Sequence, residues 1–208
     1  MNKIVIVGGG IVGVSTAYQI AEKFPESQIT LIEKESELAA HQTGHNSGVI
    51  HSGIYYKPGS SKAKNCRRGY NFLIDFCESQ HIPFELCGKV IVATEASQMP
   101  ALEKLYQRGI ENGLEGLTWL DEKGIKEKEP HTRGVKGIFV PHTGIVGYRQ
   151  VTDKMGELLS QKEGVEFRMN ESVTSFNIED GKVLVTTDKG QYEADKVINC
   201  AGLYCDKI

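Results

Sequence analysis

Three glycines near the start of the chain have the spacing at which a backbone can approach a phosphate group closely. Gly8, Gly10 and Gly13 form the pattern G-x-G-x-x-G directly after an apolar stretch at 3–7, and a second apolar stretch at 28–32 ends at Glu33. In a strand–turn–helix unit the first glycine permits the turn, the second admits a pyrophosphate and the third lets the helix pack on the sheet. The spacing therefore predicts a dinucleotide site, the alternative being a glycine-rich turn in an ordinary α/β domain.

Glu33 adds a chemical preference to this site. A carboxylate at the end of the second strand accepts hydrogen bonds from the two hydroxyls of a ribose. The same charge would repel a ribose 2′-phosphate, so the sequence argues against NADP.

A second group of reactive residues lies in residues 38–58, where regular periodicity is lost and His, Gly, Ser, Thr and Tyr accumulate. A segment of this length without secondary structure inside a domain usually carries function. His41 and His45 have the spacing of a helical metal pair, but Gly44 and Gly48 oppose a helix there. The glutamate that a zinc-protease motif requires is also missing between them, so we expect no metal site.

Hydrophobic periodicity predicts the elements that hold these residues in place. The predicted helices span residues 11–23, 62–81, 98–112 and 151–161, and the predicted strands span 3–7, 28–32, 89–93, 137–141, 144–148, 165–168, 171–178, 182–187, 191–194 and 196–200. Asp180-Gly181 between two of these strands is a strong signal for a hairpin turn.

The order of these elements changes from α/β to mixed and back to α/β. It predicts a Rossmann-like dinucleotide-binding domain of the α/β class that is interrupted by an inserted, partly antiparallel α+β region. We expect residues 1–85 to form the first part of the binding domain, 86–149 the segment of the substrate domain and 150–208 the second part. Because a strand and a glycine turn end the sequence where another helix should begin, we also expect an N-terminal fragment of a longer protein.

Composition narrows the class of protein. The chain has 208 residues, 39% of them hydrophobic and 25% charged, and a net charge of −3, which gives no reason to expect a nucleic-acid partner. No apolar stretch has the length of a membrane span, and a core strand at the start of the chain predicts that there is no signal peptide. The five cysteines are odd in number and form no C-x-x-C pair, which predicts free thiols in the cytoplasm.

Three stretches together resemble the D-amino-acid-oxidase-like family of FAD-dependent oxidoreductases. They are the glycine motif with Ala17 and Glu33, the loop at 43–56, and Val-Ile-Asn-Cys-Ala-Gly at 197–202. The resemblance implies a glutathione-reductase-like FAD-binding domain, and the last stretch disfavours an NAD enzyme. Within the family the likeness is closest to the L-2-hydroxyglutarate oxidase/dehydrogenase group, through residues 41–56 and 144–149, although Gly147 stands where an acidic residue is expected.

The resemblance also implies which residues contact FAD. The pyrophosphate would lie against the glycine turn and the start of the helix, the ribose against Glu33 and the adenine beside Lys34 and the backbone of Val173. The implied cofactor residues are Gly8, Gly10, Ile11, Val12, Gly13, Glu33, Lys34, Thr43, His45, Asn46, Ser47, Val173, Ala201 and Gly202. Whether FAD is attached covalently stays open.

For the reaction, the resemblance implies hydride transfer from a 2-hydroxy acid, closest to L-2-hydroxyglutarate, to flavin. His51 is the candidate base because the pKa of a histidine lies near neutrality, the alternative being a structural histidine. Tyr55, Tyr56 and Arg149 are candidate substrate residues, Arg149 through a bidentate contact to a carboxylate.

Several alternatives stay open. An amine or amino-acid oxidase of the glycine/sarcosine type would have the same fold, and a nucleotide-binding fragment would have no turnover of its own. The electron acceptor is oxygen, a quinone or another protein. The membrane-bound acceptors among these would bring the protein to the inner membrane as a peripheral protein.

Overall fold

A computed structural model of the chain describes residues 2–208, which divide into two compact units. Unit 1 comprises residues 2–46 and 148–208, and unit 2 comprises residues 47–147. Residues 47–85 thus belong to the same compact unit as most of the segment from 86 to 149. The bounds predicted from the sequence for the domains, 1–85, 86–149 and 150–208, stay a prediction.

The structure contains five α-helices and thirteen strands among the described residues. The helices are α1 (Ile11–Lys23), α2 (Ser61–Ser79), α3 (Met99–Glu111), α4 (Glu122–Lys128) and α5 (Tyr148–Ser160). The strands are β1 (Lys3–Val7), β2 (Gln28–Ile32), β3 (Val49–Ile50), β4 (Phe84–Glu85), β5 (Lys89–Ala93), β6 (Thr118–Leu120), β7 (Lys136–Val140), β8 (Gly144–Val146), β9 (Val165–Arg168), β10 (Val173–Glu179), β11 (Lys182–Thr187), β12 (Gln191–Ala194) and β13 (Lys196–Asn199).

Unit 1 is built on a parallel sheet with the strand order β13-β1-β2-β9. Helix α1 buries Val14, Ala17 and Ala21 at helical spacing against this sheet, where Ile6 and Leu31 are fully buried. Because the strands are parallel, the carboxyl ends of β1, β2 and β13 lie at one edge of the sheet. The predicted Rossmann-like α/β unit is confirmed.

The antiparallel sheet β10-β11-β12 packs on the parallel sheet of unit 1 through Val5, Ile32 and Val185. The predicted turn between β10 and β11 is confirmed. Asp180 and Gly181 have φ angles of 49° and 78°, which an Asp-Gly pair tolerates better than other residues do.

Unit 2 contains two antiparallel sheets, β5-β7-β6 and β3-β8-β4. Its core joins Ile54, Ala93, Leu102 and Ile138 between the first sheet and α3. The sequence interpretation missed the short strands β3, β4 and β6 and the helix α4. Helix α4 is short and mostly charged, with Ile125 as its buried residue, so it shows almost no apolar periodicity.

Two smaller differences concern the ends of helices. Helix α5 begins at Tyr148, three residues before the predicted start, and α2 ends at Ser79 rather than at residue 81. Among residues 2–208, no helix combines the length and the apolar composition needed to cross a lipid bilayer.

Candidate functional site

A cavity of about 650 Å³ opens in unit 1 at the carboxyl edge of the parallel sheet. Its volume falls in the range of sites that take a small molecule or cofactor. Of the residues implied to contact the cofactor, those that line it are Gly8, Gly10, Ile11, Val12, Glu33, Lys34, Thr43, Val173, Ala201 and Gly202. The structure therefore brings together ten residues drawn from three distant parts of the sequence.

The glycine turn is closed on itself so tightly that side chains do not fit. A Cβ on Gly13 would lie 1.9 Å from the carbonyl oxygen of Gly8, and a Cβ on Gly8 would lie 2.4 Å from the carbonyl oxygen of Cys200. Gly8 also has a φ of 108°, in the region that favours glycine. Gly13 does not line the cavity and serves the close packing of α1 on the turn.

The amino end of α1 faces the cavity without a side-chain cap. Gly10 occupies the N-cap position, and the first turn of the helix contains no acidic residue. The N–H of Ile11 donates to Thr43 Oγ1 at 3.0 Å, which fixes the loop of Thr43 beside the helix. Because the first turn carries no acid of its own, the partial positive charge of the helix end suits a phosphate anion.

The Glu33 carboxylate is held in place at the wall of the cavity by two backbone groups. Oε2 accepts the N–H of Gly9 at 2.6 Å and Oε1 accepts the N–H of Glu35 at 2.9 Å. Each carboxylate oxygen can accept a second hydrogen bond. Glu33 can therefore be fixed by the protein and still accept hydroxyls of a ribose.

Glu171 is a residue of the cavity that the sequence interpretation missed. Its side chain is buried, and Oε1 accepts hydrogen bonds from the hydroxyls of Thr187 at 2.6 Å and Tyr192 at 2.8 Å. Burial and the carboxylate of Glu171 raise the pKa of Tyr192. These contacts tie the start of β10, and with it Val173, to β11 and β12. An isolated glutamate at the edge of a strand gives no sequence signal of such a role.

The three implied cofactor residues that come soonest after Thr43 in the loop, His45, Asn46 and Ser47, do not line the cavity of unit 1. His45 Nδ1 lies 2.9 Å from the carbonyl oxygen of His41, and the Asn46 side-chain amide donates to the carbonyl of Thr43 at 2.6 Å. Both side chains stabilise the loop itself. Ser47 is exposed and is the first residue of unit 2. Contacts of these three residues with the cofactor stay a prediction.

His51 lies in unit 2 on a loop whose residues His51 and Ser52 each accept a hydrogen bond from another segment, while the His51 side chain is exposed. The thiol of Cys66 on α2 donates to the carbonyl oxygen of His51 at 3.4 Å, and the next residue, Ser52, is buried and accepts from the hydroxyl of Thr143 at 3.4 Å. Burial raises the pKa of the Cys66 thiol, which favours the protonated donor form. The catalytic role of His51 stays a prediction.

The continuation of this loop is a tight turn attached to α3. The N–H of Tyr56 donates to the carbonyl of Gly53 at 3.2 Å, and the amide of Asn112 donates to the carbonyls of both Gly53 and Tyr56. Tyr55 and Tyr56 are 50% and 36% exposed, so neither is part of the core of unit 2. Their exposure is compatible with the predicted contact to substrate, which stays a prediction.

Arg149, the predicted ligand of a substrate carboxylate, already has acidic partners in unit 1. Its Nη1 and Nη2 donate to the two carboxylate oxygens of Glu37 at 3.1 and 2.7 Å, and Asp153 lies 3.6 Å from its Nε. The guanidinium lowers the pKa of Glu37 through the hydrogen bond and its charge. A substrate carboxylate would have to displace Glu37.

Arg67 and Arg68 are neighbours on α2 but have different environments. Arg67 is half-buried, its Cδ lies near Gly53, and its guanidinium carbon lies 5.0 Å from the ring centre of Tyr70. Its Nη1 is buried without a hydrogen-bond partner among residues 2–208. The neighbouring Arg68 is exposed, so sequence position alone does not distinguish the two arginines.

Comparison with known proteins supplies a family for this arrangement. A family model described as "FAD dependent oxidoreductase" matches residues 3–208. The chain is 47% identical over 206 residues to L-2-hydroxyglutarate dehydrogenase of Indibacter alkaliphilus, covering 99% of this chain and 51% of the relative. It is 44% identical over 209 residues to L-2-hydroxyglutarate dehydrogenase of Escherichia coli K12, covering 100% of this chain and 49% of the relative. The chain thus spans about half the length of these curated relatives.

Solved structures give the same fold. The L-α-glycerophosphate oxidase of Mycoplasma pneumoniae with FAD bound superposes with a TM-score of 0.84 at 29% identity, covering 98% of this chain and 55% of that one. Glycine oxidase of Geobacillus kaustophilus superposes with a TM-score of 0.86 at 16% identity, covering 100% of this chain and 57% of that one. The second likeness shows the fold alone.

Proposed function

Because the chain belongs to the family of FAD-dependent oxidoreductases, we propose that the whole protein oxidises L-2-hydroxyglutarate to 2-oxoglutarate. The observation that carries the substrate is the 44–47% identity to L-2-hydroxyglutarate dehydrogenases over nearly all of this chain. The runner-up, oxidation of an amine or amino acid, rests on structural neighbours such as glycine oxidase at 16% identity. That likeness extends to the fold and not to a substrate.

The cavity of unit 1 fits the ADP part of FAD. The amino end of α1, whose N-cap residue Gly10 has no side chain, offers N–H donors to the pyrophosphate. A Cβ on Gly10 would lie 3.2 Å from Thr43 Oγ1, and its absence leaves that space free. Glu33, Lys34 and Val173 line the same cavity, where Glu33 would accept the ribose hydroxyls and Lys34 and Val173 would contact the adenine. FAD, when bound, supplies the acceptor for a hydride from the substrate carbon.

The proposal assigns His51 the role of base. When the hydride leaves C2 of the substrate, the hydroxyl on the same carbon must lose its proton, and a neutral imidazole nitrogen takes it. FAD would accept the hydride with the two electrons of the C–H bond, and the C2–O bond becomes the carbonyl of the oxo acid. The hydrogen bond from the Cys66 thiol restrains the backbone carbonyl of His51, and with it the backbone position from which the imidazole side chain extends.

A substrate panel tests the reaction. The whole protein, loaded with FAD and kept anaerobic, should lose its flavin absorption on addition of L-2-hydroxyglutarate and keep it with sarcosine, glycine or D-alanine. Reduction by the amines alone would overturn the hydroxyacid assignment. No reduction by any member of the panel would instead support a nucleotide-binding protein without turnover.

The His51→Ala variant tests the base. It should lower the rate of flavin reduction by on the order of 10²-fold or more and leave the FAD content unchanged. His131→Ala is the matched control, because His131 is an exposed histidine of the same unit. An unchanged rate in His51→Ala would make His51 a structural residue.

Two further measurements identify the electron acceptor and test for contact with a membrane. Reoxidation of the reduced protein by oxygen, by a short-chain quinone and by a protein acceptor distinguishes the three acceptors that the sequence leaves open. All five cysteines are free thiols, which supports a cytoplasmic location. Rapid reoxidation by quinone together with sedimentation on vesicles would support peripheral contact with a membrane.

A further inference from the structure

The substrate of the proposed function carries two carboxylates, and one of them is far from the carbon that is oxidised. A binding site for this distal carboxylate needs a cation that other acids have not already engaged. Arg149 is paired with Glu37 and Asp153. Unit 2 contains cations that contact the loop carrying His51, Tyr55 and Tyr56.

Lys89 is a cation of this kind. It is the first residue of β5, it is half-buried, and its Nζ lies 4.4 Å from the ring centre of Tyr55. Among residues 2–208, no carboxylate lies within 4.0 Å of this ammonium group. The face of an aromatic ring attracts a cation without neutralising it, so the charge remains available to an anion.

Tyr55 is itself fixed in place. Its carbonyl oxygen accepts from Nη1 of Arg108 at 3.5 Å, and Asn112 holds the turn on both sides of it through the carbonyls of Gly53 and Tyr56. Half of the Tyr55 surface is nevertheless open to solvent. The ring of Tyr55 on the loop that carries His51 and the ammonium of Lys89 on β5 thus form one preorganised, partly exposed patch.

We infer that Lys89 binds the distal carboxylate of the substrate and thereby determines the preference for dicarboxylates over monocarboxylates. The inference rests on the proposed function, since it presupposes a 2-hydroxy dicarboxylate. A hydrogen bond to a charged group contributes enough that its loss weakens binding by roughly 10- to 100-fold. Tyr55 acts through Lys89 as a positioning residue.

The test compares two substrates in the FAD-loaded whole protein. L-2-hydroxypentanoate has a methyl group where L-2-hydroxyglutarate has its second carboxylate. In Lys89→Met, kcat/KM for L-2-hydroxyglutarate should fall by roughly 10- to 100-fold, mostly through KM, while kcat/KM for L-2-hydroxypentanoate stays within about threefold. The preference for the dicarboxylate should therefore nearly vanish. Lys89→Arg should retain most of it.

Lys128→Met is the matched control. The Nζ of Lys128 lies 4.4 Å from the ring centre of Phe139 in the same unit, so the variant removes the same kind of contact at the same distance. It should leave the preference unchanged. Arg67→Met tests the other unpartnered cation beside the loop, and it too should leave the preference unchanged.

Two results would overturn the inference: an unchanged preference in Lys89→Met, whether kcat/KM falls equally for both substrates or for neither, or a collapse of the preference in Arg67→Met instead. A wild-type protein that binds 2-oxoglutarate no better than 2-oxopentanoate, as seen by changes in flavin absorption, would also overturn it. Failure of the proposed function looks different, because then L-2-hydroxyglutarate does not reduce the flavin at all.

Discussion

The Cα of Gly13 faces the carbonyl oxygen of Gly8 so closely that a Cβ would lie 1.9 Å from that oxygen. The atom in the way is backbone, which cannot rotate aside. The first turn of α1 therefore sits directly on the turn that shapes the phosphate site. The packing of α1 and the shape of the phosphate site therefore both require that residue 13 has no Cβ.

Gly13→Ala should accordingly lower the free energy of unfolding by about 1–3 kcal/mol and reduce the FAD content of the purified protein. Gly69→Ala is the matched control, because Gly69 lies within α2 and no atom lies within 4 Å of its Cβ position. This control should raise stability by up to about 1 kcal/mol, as alanine replaces glycine in a helix. Urea unfolding followed by flavin absorption measures both, and equal stabilities would contradict the packing argument.

Glu33→Gln should weaken FAD binding by roughly 10-fold or more. The amide group replaces one carboxylate oxygen, so one of the backbone donors Gly9 and Glu35 faces a second donor instead of an acceptor. The substitution therefore disturbs both the backbone contacts of residue 33 at the cavity wall and its hydrogen bonds to the ribose. Titration of the apoprotein with FAD by fluorescence gives the dissociation constant. An affinity equal to that of the wild type would mean that Glu33 contributes neither contact.

The pair of Glu37 and Arg149 predicts a pH dependence of stability. The folded-state pKa of Glu37 lies below its unfolded value because Arg149 donates to the carboxylate and carries a positive charge. The pair thus stabilises the folded chain above the ordinary glutamate range of about pH 4.3, and this stabilisation is lost as the pH falls through the lowered pKa.

Arg149→Met should therefore be less stable than the wild type near neutral pH, and the difference should shrink as the pH falls below about 4. Urea midpoints at several pH values measure this. Glu37→Gln is the matched variant, and it should reproduce the same convergence. A difference in stability that persists unchanged at acidic pH would show that Arg149 stabilises the fold by packing rather than by its charge.

Cys66→Ala should lower kcat while leaving the FAD content unchanged, because it removes the donor that fixes the carbonyl of His51. The loss of this weak hydrogen bond and of packing against Gly53 should also cost about 1 kcal/mol of stability. Cys87→Ala is the control, since Cys87 is exposed and its thiol donates to the carbonyl of the neighbouring Gly88. An undiminished kcat in Cys66→Ala would show that the position of His51 does not depend on this thiol.

Local sequence patterns sufficed to predict β1, α1 and β2, because helical and strand periodicities reflect contacts within the segment itself. They also sufficed for the hairpin at Asp180-Gly181, since that turn depends on two backbone angles. They did not reveal that Glu171 is buried and hydrogen-bonded to Tyr192, or that Arg67 is half-buried while Arg68 is exposed. Those differences arise from partners distant in the sequence, which no local pattern records.

The pairing of β13 with β1 has a consequence for how the chain folds during synthesis. Val5 pairs with Val197, so the pairing of β1 with β13 in the parallel sheet of unit 1 cannot form until the ribosome has produced β13, whereas unit 2 is one uninterrupted segment. Contacts between neighbouring segments form before contacts between distant ones, because closing a longer loop costs more entropy. Unit 2 should thus fold before the two halves of the parallel sheet of unit 1 have paired. In arrested nascent chains, unit 2 should therefore become protected from protease before unit 1 does.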